Sequence, residues 1–400
     1  MADKNLKLGS QIFCEALAAE GVDTVFGIPG GVLLPLYDMI NKYGHHIRHI
    51  LPRHEQGGGF AADGYARVTG KTGVAIGTSG PGATNLLTSI ANAMLDSVPI
   101  VFITGQVTGE LIGTDAFQET DIIGMTMPIV KHSYLINDAK DVAQAVKEAF
   151  YIANSGRPGP VHIDFTKDAW TTSAVYNSPD DVKIDLPGYS PLPPKCAGEE
   201  IAKLNDLLKT PGTKPLIIAG HGVELARAQS PLLAFAEKTN IPVVNTLLGL
   251  STFPQKHKLW AGMIGMHGDA VANLAAHDAN LIISIGSRFD DRITGNLEAF
   301  VKDTRFVHID IDVSELNKIV KTDLPLAGDA KDILTRALDI VDTFEFKDWQ
   351  SQIDSWKLEH GFLDFKYNPE ARENYLSQPR IIDLISKASH GDAIVASDVG

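Results

Sequence analysis

The sequence predicts an α/β protein made of doubly wound, parallel-sheet domains. Three observations point there. Short β-rich runs alternate with helical patterns along the chain; a proline-rich stretch interrupts the alternation, which then restarts; and several β-rich runs end in glycine-bearing turns. At 400 residues and 44% hydrophobic content, the chain exceeds the roughly 250–300 residues at which one core stops growing, so two or three domains are expected.

The elements follow in order. In residues 1–185 the strands TVFGI, IRHILPR, GVAIGT, PIVFITG and GPVHIDF alternate with helical stretches such as QIFCEALAAEG and ATNLLTSIANAML. The segment LPGYSPLPPK marks an extended linker, residues 186–196. Residues 197–343 form a second α/β domain, with strands KPLIIAG, IPVVNTLL, NLIISIGSRF and RFVHIDID and helices such as QSPLLAFAEKTN. Residues 344–376 are aromatic and charged without strand signals, which predicts a helical crossover. A third unit opens in residues 377–400, where PRIIDLISKASHGDAIVASDVG reads as a helix followed by a strand. A strand ending in Asp-Val-Gly looks like the start of a domain, so the chain is expected to be truncated at its C-terminus.

Thirty-five basic and forty-nine acidic residues leave a net charge of −14, which disfavours nucleic acid as a partner. Any phosphate must therefore meet a local device. Cys14 and Cys196 show no metal-ligand spacing and read as buried thiols of a reducing compartment. The N-terminus carries Asp3, Glu15 and Glu20 and lacks the apolar core of a secretory signal. Apolar windows such as LLTSIANAML fall short of the roughly 18 residues that suggest a membrane span. A cytoplasmic protein is expected, although a plastid protein with its transit peptide removed would look the same.

The residues that carry chemistry gather at strand ends. Glu55, in RHEQGGGF, follows the strand IRHILPR and precedes a helix expected to open near Gly58. Open α/β sheets place ligands at such carboxyl ends. Read alone, Glu55 is better explained as a structural or solvated loop charge, and the three glycines after it serve a close backbone approach or a tight turn. FGIPGG and GTSGPGATN repeat the design, the latter with a helix expected to begin near Ala83. Three glycine-bearing turns at the ends of one sheet point to a cleft. His45, His46, His49 and His54 crowd together, but without a helical His spacing or a carboxylate set a zinc site is rejected.

Taken in order, FGIPGG, RHEQG…AADGYAR, GTSGPGATN, GTDAFQE and RPGPVHID, followed by GMHG, SRFDDR and HIDID, closely resemble the thiamine diphosphate-dependent enzymes, and among them the acetohydroxyacid synthase (acetolactate synthase) catalytic-subunit family. The resemblance spans essentially the whole chain. It implies a thiamine diphosphate-binding fold with a Rossmann-like middle domain. Glu55 would hydrogen-bond the aminopyrimidine of the cofactor and promote the tautomer that takes the C2 proton. Desolvation in an apolar cleft would suit that carboxylate to proton sharing. Gly30 and Gly31 would line the cleft, Pro81 and Asn85 would approach the pyrimidine, and Phe117, Gln118 and Lys167 would border the substrate. Phe117 offers apolar area, Gln118 can donate to a developing oxyanion, and Lys167 can neutralise a carboxylate. By composition alone Phe117 is equally a core residue, and Lys167 a surface amine.

The middle domain lacks GxGxxG, so the dinucleotide fingerprint fails there. By resemblance it binds FAD through Gly220 and Gly222 in GHG, His267 in GMHG, Gly286, Arg288, Asp290 and Arg292 in GSRFDDR, and Asp310 in HIDID, with Asp329. Arg288 and Arg292 would meet the pyrophosphate; Asp310 and Asp329 would accept from the adenosine end. Arg157 in SGRPGP matches a further contact to FAD. Without the family pattern, Asp290 and Asp291 would simply pair with Arg288 and Arg292 at the surface.

One departure matters. The family holds Mg²⁺ through a GDG…N motif in a third domain, and none occurs before Gly400; GDA at Gly328 and Gly391 is followed by no suitable Asn. The metal ligands are expected beyond Gly400, and the chain alone is expected to lack turnover. The run GGGF replaces an alanine-rich version, with no functional change expected. The resemblance also implies a homodimer or homotetramer with a site shared between subunits, a small regulatory subunit, and a transferase that uses pyruvate and 2-ketobutyrate in branched-chain amino acid synthesis. The alternatives are a pyruvate oxidase or decarboxylase of the same cofactor class, and a non-catalytic flavin-binding fragment.

Overall fold

The computed structural model describes residues 5–44, 46–191, 193–361 and 378–397. His45, Leu192 in the linker, the later part of the crossover (362–376) and the closing Asp398-Val399-Gly400 lie outside the described residues. The chain divides into two compact units, Met1–Pro193 and Pro194–Gly400.

The first unit carries β1 (Leu6–Leu8), β2 (Thr24–Gly27), β3 (Arg48–Ile50), β4 (Gly73–Gly77), β5 (Ile100–Gln106), β6 (His132–Ile136), β7 (Val161–Thr166) and β8 (Ser173–Val175). Six of them form one parallel sheet in the order β3-β2-β4-β5-β7-β6, while β1 and β8 pair antiparallel. Side-chain alternation buries both faces. Val74, Ile76, Val101, Ile103, Ile163 and Phe165 pack under the helices Gly9–Ala19 and Val142–Asn154. Ala75, Ile100 and Phe102 face the helices Glu55–Thr69 and Leu87–Asp96 on the other side. Trp170 sits fully buried against Phe13 and Phe165, with ring centroids 5.2 and 4.3 Å away.

The second unit carries β9 (Pro215–Ala219), β10 (Val243–Asn245), β11 (Trp260–Met263), β12 (Leu281–Ile285), β13 (Arg305–Asp310) and β14 (Leu324–Ala327). They form one parallel sheet ordered β11-β10-β9-β12-β13-β14, the doubly wound order in which the first strand lies at the centre. The helix Lys347–His360 realises the described part of the crossover. It is held by Trp349, whose indole N–H donates to Pro215 O at 2.9 Å.

Four local expectations need correction. Glu55 is not a loop residue: the helix begins at Glu55 itself, and the run Gly57-Gly58-Gly59 lies inside it. His54 caps this helix by accepting the Gln56 N–H at 3.1 Å, and a carboxylate in the first turn suits the positive helix end. Glycine is costly there, but a Cβ on Gly59 would stand 2.0 Å from Ser89 Oγ, so its absence lets two helices approach. The helix after GTSG starts at Pro81, not Ala83, because proline suits a first helical position. Finally, the helix Gln378–Ala388 forms, but no strand follows it in residues 393–397. Ile394 and Val395 there are exposed, and without a neighbouring strand the backbone has no ladder to join.

Both cysteines are free and buried; burial pushes the Cys14 thiol up to about 12 and the Cys196 thiol up to about 11. Among the described residues no helix is long and apolar enough to cross a membrane, and no three His, Cys, Asp or Glu side chains are grouped to hold a metal ion. His49 instead bonds Gly27 O at 2.8 Å.

Candidate active site

In the first unit the chain leaves β2 toward β3 on one side of the sheet and leaves β4 toward β5 on the other. Adjacent strands whose connections diverge open a crevice at their carboxyl ends. Here the crevice lies between the turn after β2, with Gly30 and Gly31, and the turn after β4, with Pro81 and Asn85. Glu55, from the neighbouring β3, joins them. All the strands are parallel, so the loop after β5 with Phe117 and Gln118, and Lys167 directly after β7, share this edge.

The turns are built for close approach. A Cβ on Gly30 would overlap Thr78 Oγ1 at 2.2 Å, whereas Gly31 faces open space. Gly80 takes φ +61° ahead of Pro81, and Gln118 lies against it, since a Cβ on Gly80 would stand 3.0 Å from Gln118 Cα. Asn85 donates its side-chain N–H to the Glu55 carboxylate at 2.9 Å. Glu55 is half-buried, and its other oxygen lies 3.4 Å from where a Cβ on Gly82 would be. Two buried hydroxyls nearby have no hydrogen-bond partner among the described residues: Thr78, against Gly30 and Gly82, and Tyr37, against Gly27. Burial, with the Glu55 charge adding to it, pushes the Tyr37 phenol well above its ordinary range.

Phe117 is not core: it is 88% exposed. Lys167 is exposed as well. The loop that carries Phe117 is nonetheless built rather than loose. The Glu119 carboxylate accepts from the backbone N–H groups of Gly113, Thr114 and Ala116, which hold it below the usual carboxylate range. Gly109 N–H donates to Asp168 at 2.7 Å, beside Lys167. Arg157 stands apart from the crevice, ahead of the amino end of β7, where its Nε donates to Ser97 Oγ at 2.8 Å.

In the second unit the diverging pair is β9 and β12. Their loops touch through glycines: Gly222 N–H donates to Gly286 O at 3.0 Å, and a Cβ on Gly220 or Gly222 would fall 2.2 or 2.6 Å from Gly286 backbone atoms. Arg288 and Asp290 follow on this edge, partly exposed and 3.8 Å apart; Arg292 and Asp291, more exposed, are also 3.8 Å apart. The ion pairs of the simpler reading thus form at long range, where an exposed pair is worth at most ~1 kcal/mol. His267 is exposed in a loop whose Met266 N–H donates to Arg292 O at 2.8 Å. Asp310 is nearly buried and accepts from Asp312 N–H at 2.9 Å. Asp329 caps the helix Ala330–Ile340, accepting from Asp332 N–H at 3.0 Å.

Sequence reasoning placed His308 only as the start of HIDID, without a role of its own, and missed Tyr37. His308 is fully buried and bonds Ser287 O at 2.9 Å, tying the turn before Arg288 to β13. A polar side chain inside an otherwise apolar strand was the available signal for it. Tyr37 lies in a helix and carried none.

Comparison with known proteins adds independent findings. Residues 7–125 match the thiamine pyrophosphate enzyme N-terminal TPP binding domain, and residues 201–337 match the thiamine pyrophosphate enzyme central domain. Over 98% of its length the chain is 45% identical to acetolactate synthase large subunits of Corynebacterium glutamicum and of Lactococcus lactis, covering 62% and 67% of those proteins. It is 42% identical to a probable acetolactate synthase large subunit of Methanocaldococcus jannaschii, again over 98% of its length and 66% of that protein. The chain therefore spans about two thirds or less of the length of these curated relatives. With two crevices at the carboxyl ends of two doubly wound sheets and these matches across both units, the chain belongs to the acetolactate synthase large-subunit family of thiamine pyrophosphate enzymes.

Proposed function

We propose that the chain is part of an acetolactate synthase catalytic subunit, which decarboxylates pyruvate and joins the hydroxyethyl unit to a second 2-keto acid. The products are 2-acetolactate and 2-aceto-2-hydroxybutyrate, precursors of valine, leucine and isoleucine. The observation that carries this reading is the half-buried Glu55 carboxylate, held by Asn85 at the crevice of the first sheet.

The residues present suit a polar heteroaromatic ring there. A carboxylate, an amide and the buried Thr78 hydroxyl converge where Gly30 and Gly82 leave no side chain in the way, and the buried Tyr37 hydroxyl lies against Gly27 in the preceding turn. Bound thiamine diphosphate supplies the electron sink that pyruvate decarboxylation needs. Glu55 would hold the aminopyrimidine by a hydrogen bond and share its proton, Asn85 would orient that carboxylate, Gln118 would donate to substrate oxygen, and Lys167 with Phe117 would receive the keto acid. Glycine contact between the loops of β9 and β12 supports FAD along the second edge, with Gly220, Gly222, Gly286, Arg288, Asp290, Arg292, Asp310, His267 and Asp329 as its residues. Mg²⁺ is assigned to no residue of this chain.

We assign residues 1–185 to the pyrimidine domain, 186–196 to the linker, 197–343 to the FAD domain, 344–376 to a crossover and 377–400 to the start of a diphosphate domain. The whole protein is read as cytoplasmic, at least dimeric and served by a small regulatory subunit.

The test is carboligation. Protein made from the entire reading frame that encodes this chain, supplied with pyruvate, thiamine diphosphate, Mg²⁺ and FAD, should form 2-acetolactate without bleaching the flavin. Flavin bleaching during pyruvate consumption, or acetaldehyde as the main product, would replace the synthase with an oxidase or a decarboxylase.

A further inference from the structure

Behind the loop that carries Phe117 and Gln118 lies a chain of buried polar groups that the reading above does not use. Thr104 on β5 and His162 and Asp164 on β7 point to the same face of the sheet, and all three are at most 1% exposed. Thr104 O–H donates to Asp164 Oδ1 at 2.6 Å, and its oxygen also lies 2.7 Å from His162 Nε2. The other imidazole nitrogen, Nδ1, lies 3.0 Å from Thr126 Oγ1. Thr126 closes the helix Ile122–Thr126, and its hydroxyl is 2.9 Å from Ile122 O. On the other carboxylate oxygen of Asp164, Gln106 donates at 3.2 Å while also donating to Thr120 O at 2.8 Å. Every member therefore leads from the end of β7 to the far end of the loop.

Counting protons along this chain leaves two consistent arrangements, because each threonine has one hydrogen to give and a neutral imidazole has one. With Asp164 ionised, Thr104 donates to the carboxylate and must accept from His162 Nε2–H. His162 Nδ1 then accepts from Thr126, whose hydroxyl is no longer free for Ile122 O. With Asp164 protonated the direction reverses at every link. The carboxyl donates to Thr104, Thr104 donates to His162 Nε2, His162 Nδ1–H donates to Thr126, and Thr126 donates to Ile122 O. Gln106 keeps its bond to Oδ2 in both states, which directs the carboxyl proton toward Thr104.

We infer that Asp164 is a positioning residue: its protonation state sets the tautomer of His162 and, through Thr126, the hydrogen bonding of the helix that ends the Phe117–Gln118 loop.

The electrostatics allow this switch near neutrality. Burial pushes the Asp164 carboxyl up to about 6 against the hydrogen bonds from Thr104 and Gln106, and Asp121, which precedes the helix, raises it further. Burial pushes the His162 imidazole down to about 3, so it stays neutral and can only change tautomer. Among the other groups on elements packed against β7, Tyr134 and Glu148 pair with each other at 3.0 Å, His132 meets Tyr134 edge-on, and Lys167 and Asp168 begin the helix after the strand. That the loop borders the substrate rests on the function proposed above; the hydrogen-bond chain does not, and its test needs no turnover.

The experiment is ¹⁵N NMR of the folded chain labelled at histidine and isoleucine, with the His162 signals identified by their loss in His162→Asn. At pH 8 His162 should be the Nε2–H tautomer; by pH 5 it should be Nδ1–H, with a midpoint near 6 and a parallel shift of the Ile123 amide, whose peptide carbonyl is Ile122 O. In Asp164→Asn the amide N–H₂ faces Thr104 and should hold the Nδ1–H tautomer at every pH. An Nε2–H tautomer that persists in the native protein at pH 5, or an unmoved Ile123 amide, would overturn the inference. The titration of the native protein decides even where the variant does not fold.

Discussion

Asn85 reaches from the helix after β4 to donate its side-chain N–H to Glu55, 2.9 Å away on the helix after β3. A carboxylate at a helix start is favoured by the helix dipole, and the amide fixes which way it points. Glu55→Gln keeps the size and loses the charge, so we expect a melting temperature within about 2 °C of the native protein and turnover of the whole enzyme below 1%. A folded Glu55→Gln enzyme with near-native acetolactate formation would remove Glu55 from the chemistry.

Asn85→Asp would set two carboxylates at hydrogen-bond distance. One must then take up a proton, so its pKa rises and stability should fall as pH climbs from 5 to 8, by roughly 1–2 kcal/mol relative to the native protein. Urea midpoints at the two pH values measure this. An unchanged difference would mean that the two side chains are apart in solution.

Two glycines in one helix should respond oppositely to alanine. Gly57 has nothing within 4 Å of an added Cβ, so Gly57→Ala should stabilise by about 0.5–1 kcal/mol. Gly59→Ala would drive a methyl to 2.0 Å from Ser89 Oγ and 2.5 Å from Ser89 Cβ, and should cost about 1–3 kcal/mol. Adding Ser89→Gly should recover much of that loss.

Asp164 and His162 act on stability with opposite signs. Between the ordinary carboxyl value of 3.8 and the folded value of about 6, folded Asp164 holds a proton that the unfolded chain has lost, so its contribution falls as pH rises through that window. His162 is the reverse: between about 3 and 6.5 the unfolded imidazole binds a proton that the folded one refuses, so its contribution rises with pH. The two nearly cancel from about pH 4 to 6. Asp164→Asn should therefore show steeper acid destabilisation below pH 6.5, and His162→Gln a gain in stability on going from pH 6.5 to 4.5. Denaturant titrations across that range read both slopes.

On the second sheet, Gly222→Ala would place a methyl 2.6 Å from Gly286 Cα, a backbone atom that cannot swing aside. We expect a cost of about 1–3 kcal/mol and, if this edge holds FAD as proposed above, less than half the flavin content of the unsubstituted protein. His267→Ala, at an exposed position, should leave stability within about 0.5 kcal/mol.

The alternation of β-rich and helical runs was enough to read both parallel sheets, because strands covered on both faces are near-continuous hydrophobic runs such as Leu281–Ile285. β6, β11 and β14 escaped for physical reasons. His132-Ser133-Tyr134 is polar at a sheet edge, Trp260–Met263 is four residues ending in a glycine turn, and Leu324–Ala327 contains a proline that only an edge strand tolerates. The helix start at Glu55 was hidden by glycine's low helix propensity, which tertiary contact with Ser89 overrides. The glycine-bearing turns at the strand ends were legible because such turns need particular residues. The buried chain from Asp164 to Thr126 was not, since nothing local in VHIDF tells which threonines the fold brings within reach.

Trp170, packed edge-on to Phe13 and tilted over Phe165, is the one tryptophan among residues 1–193; the other three stand at 260, 349 and 356. An indole sealed from solvent emits to the blue of one in water. The first unit thus contains its own optical reporter, and a variant keeping only that indole would let its unfolding be followed by colour alone, separately from the second.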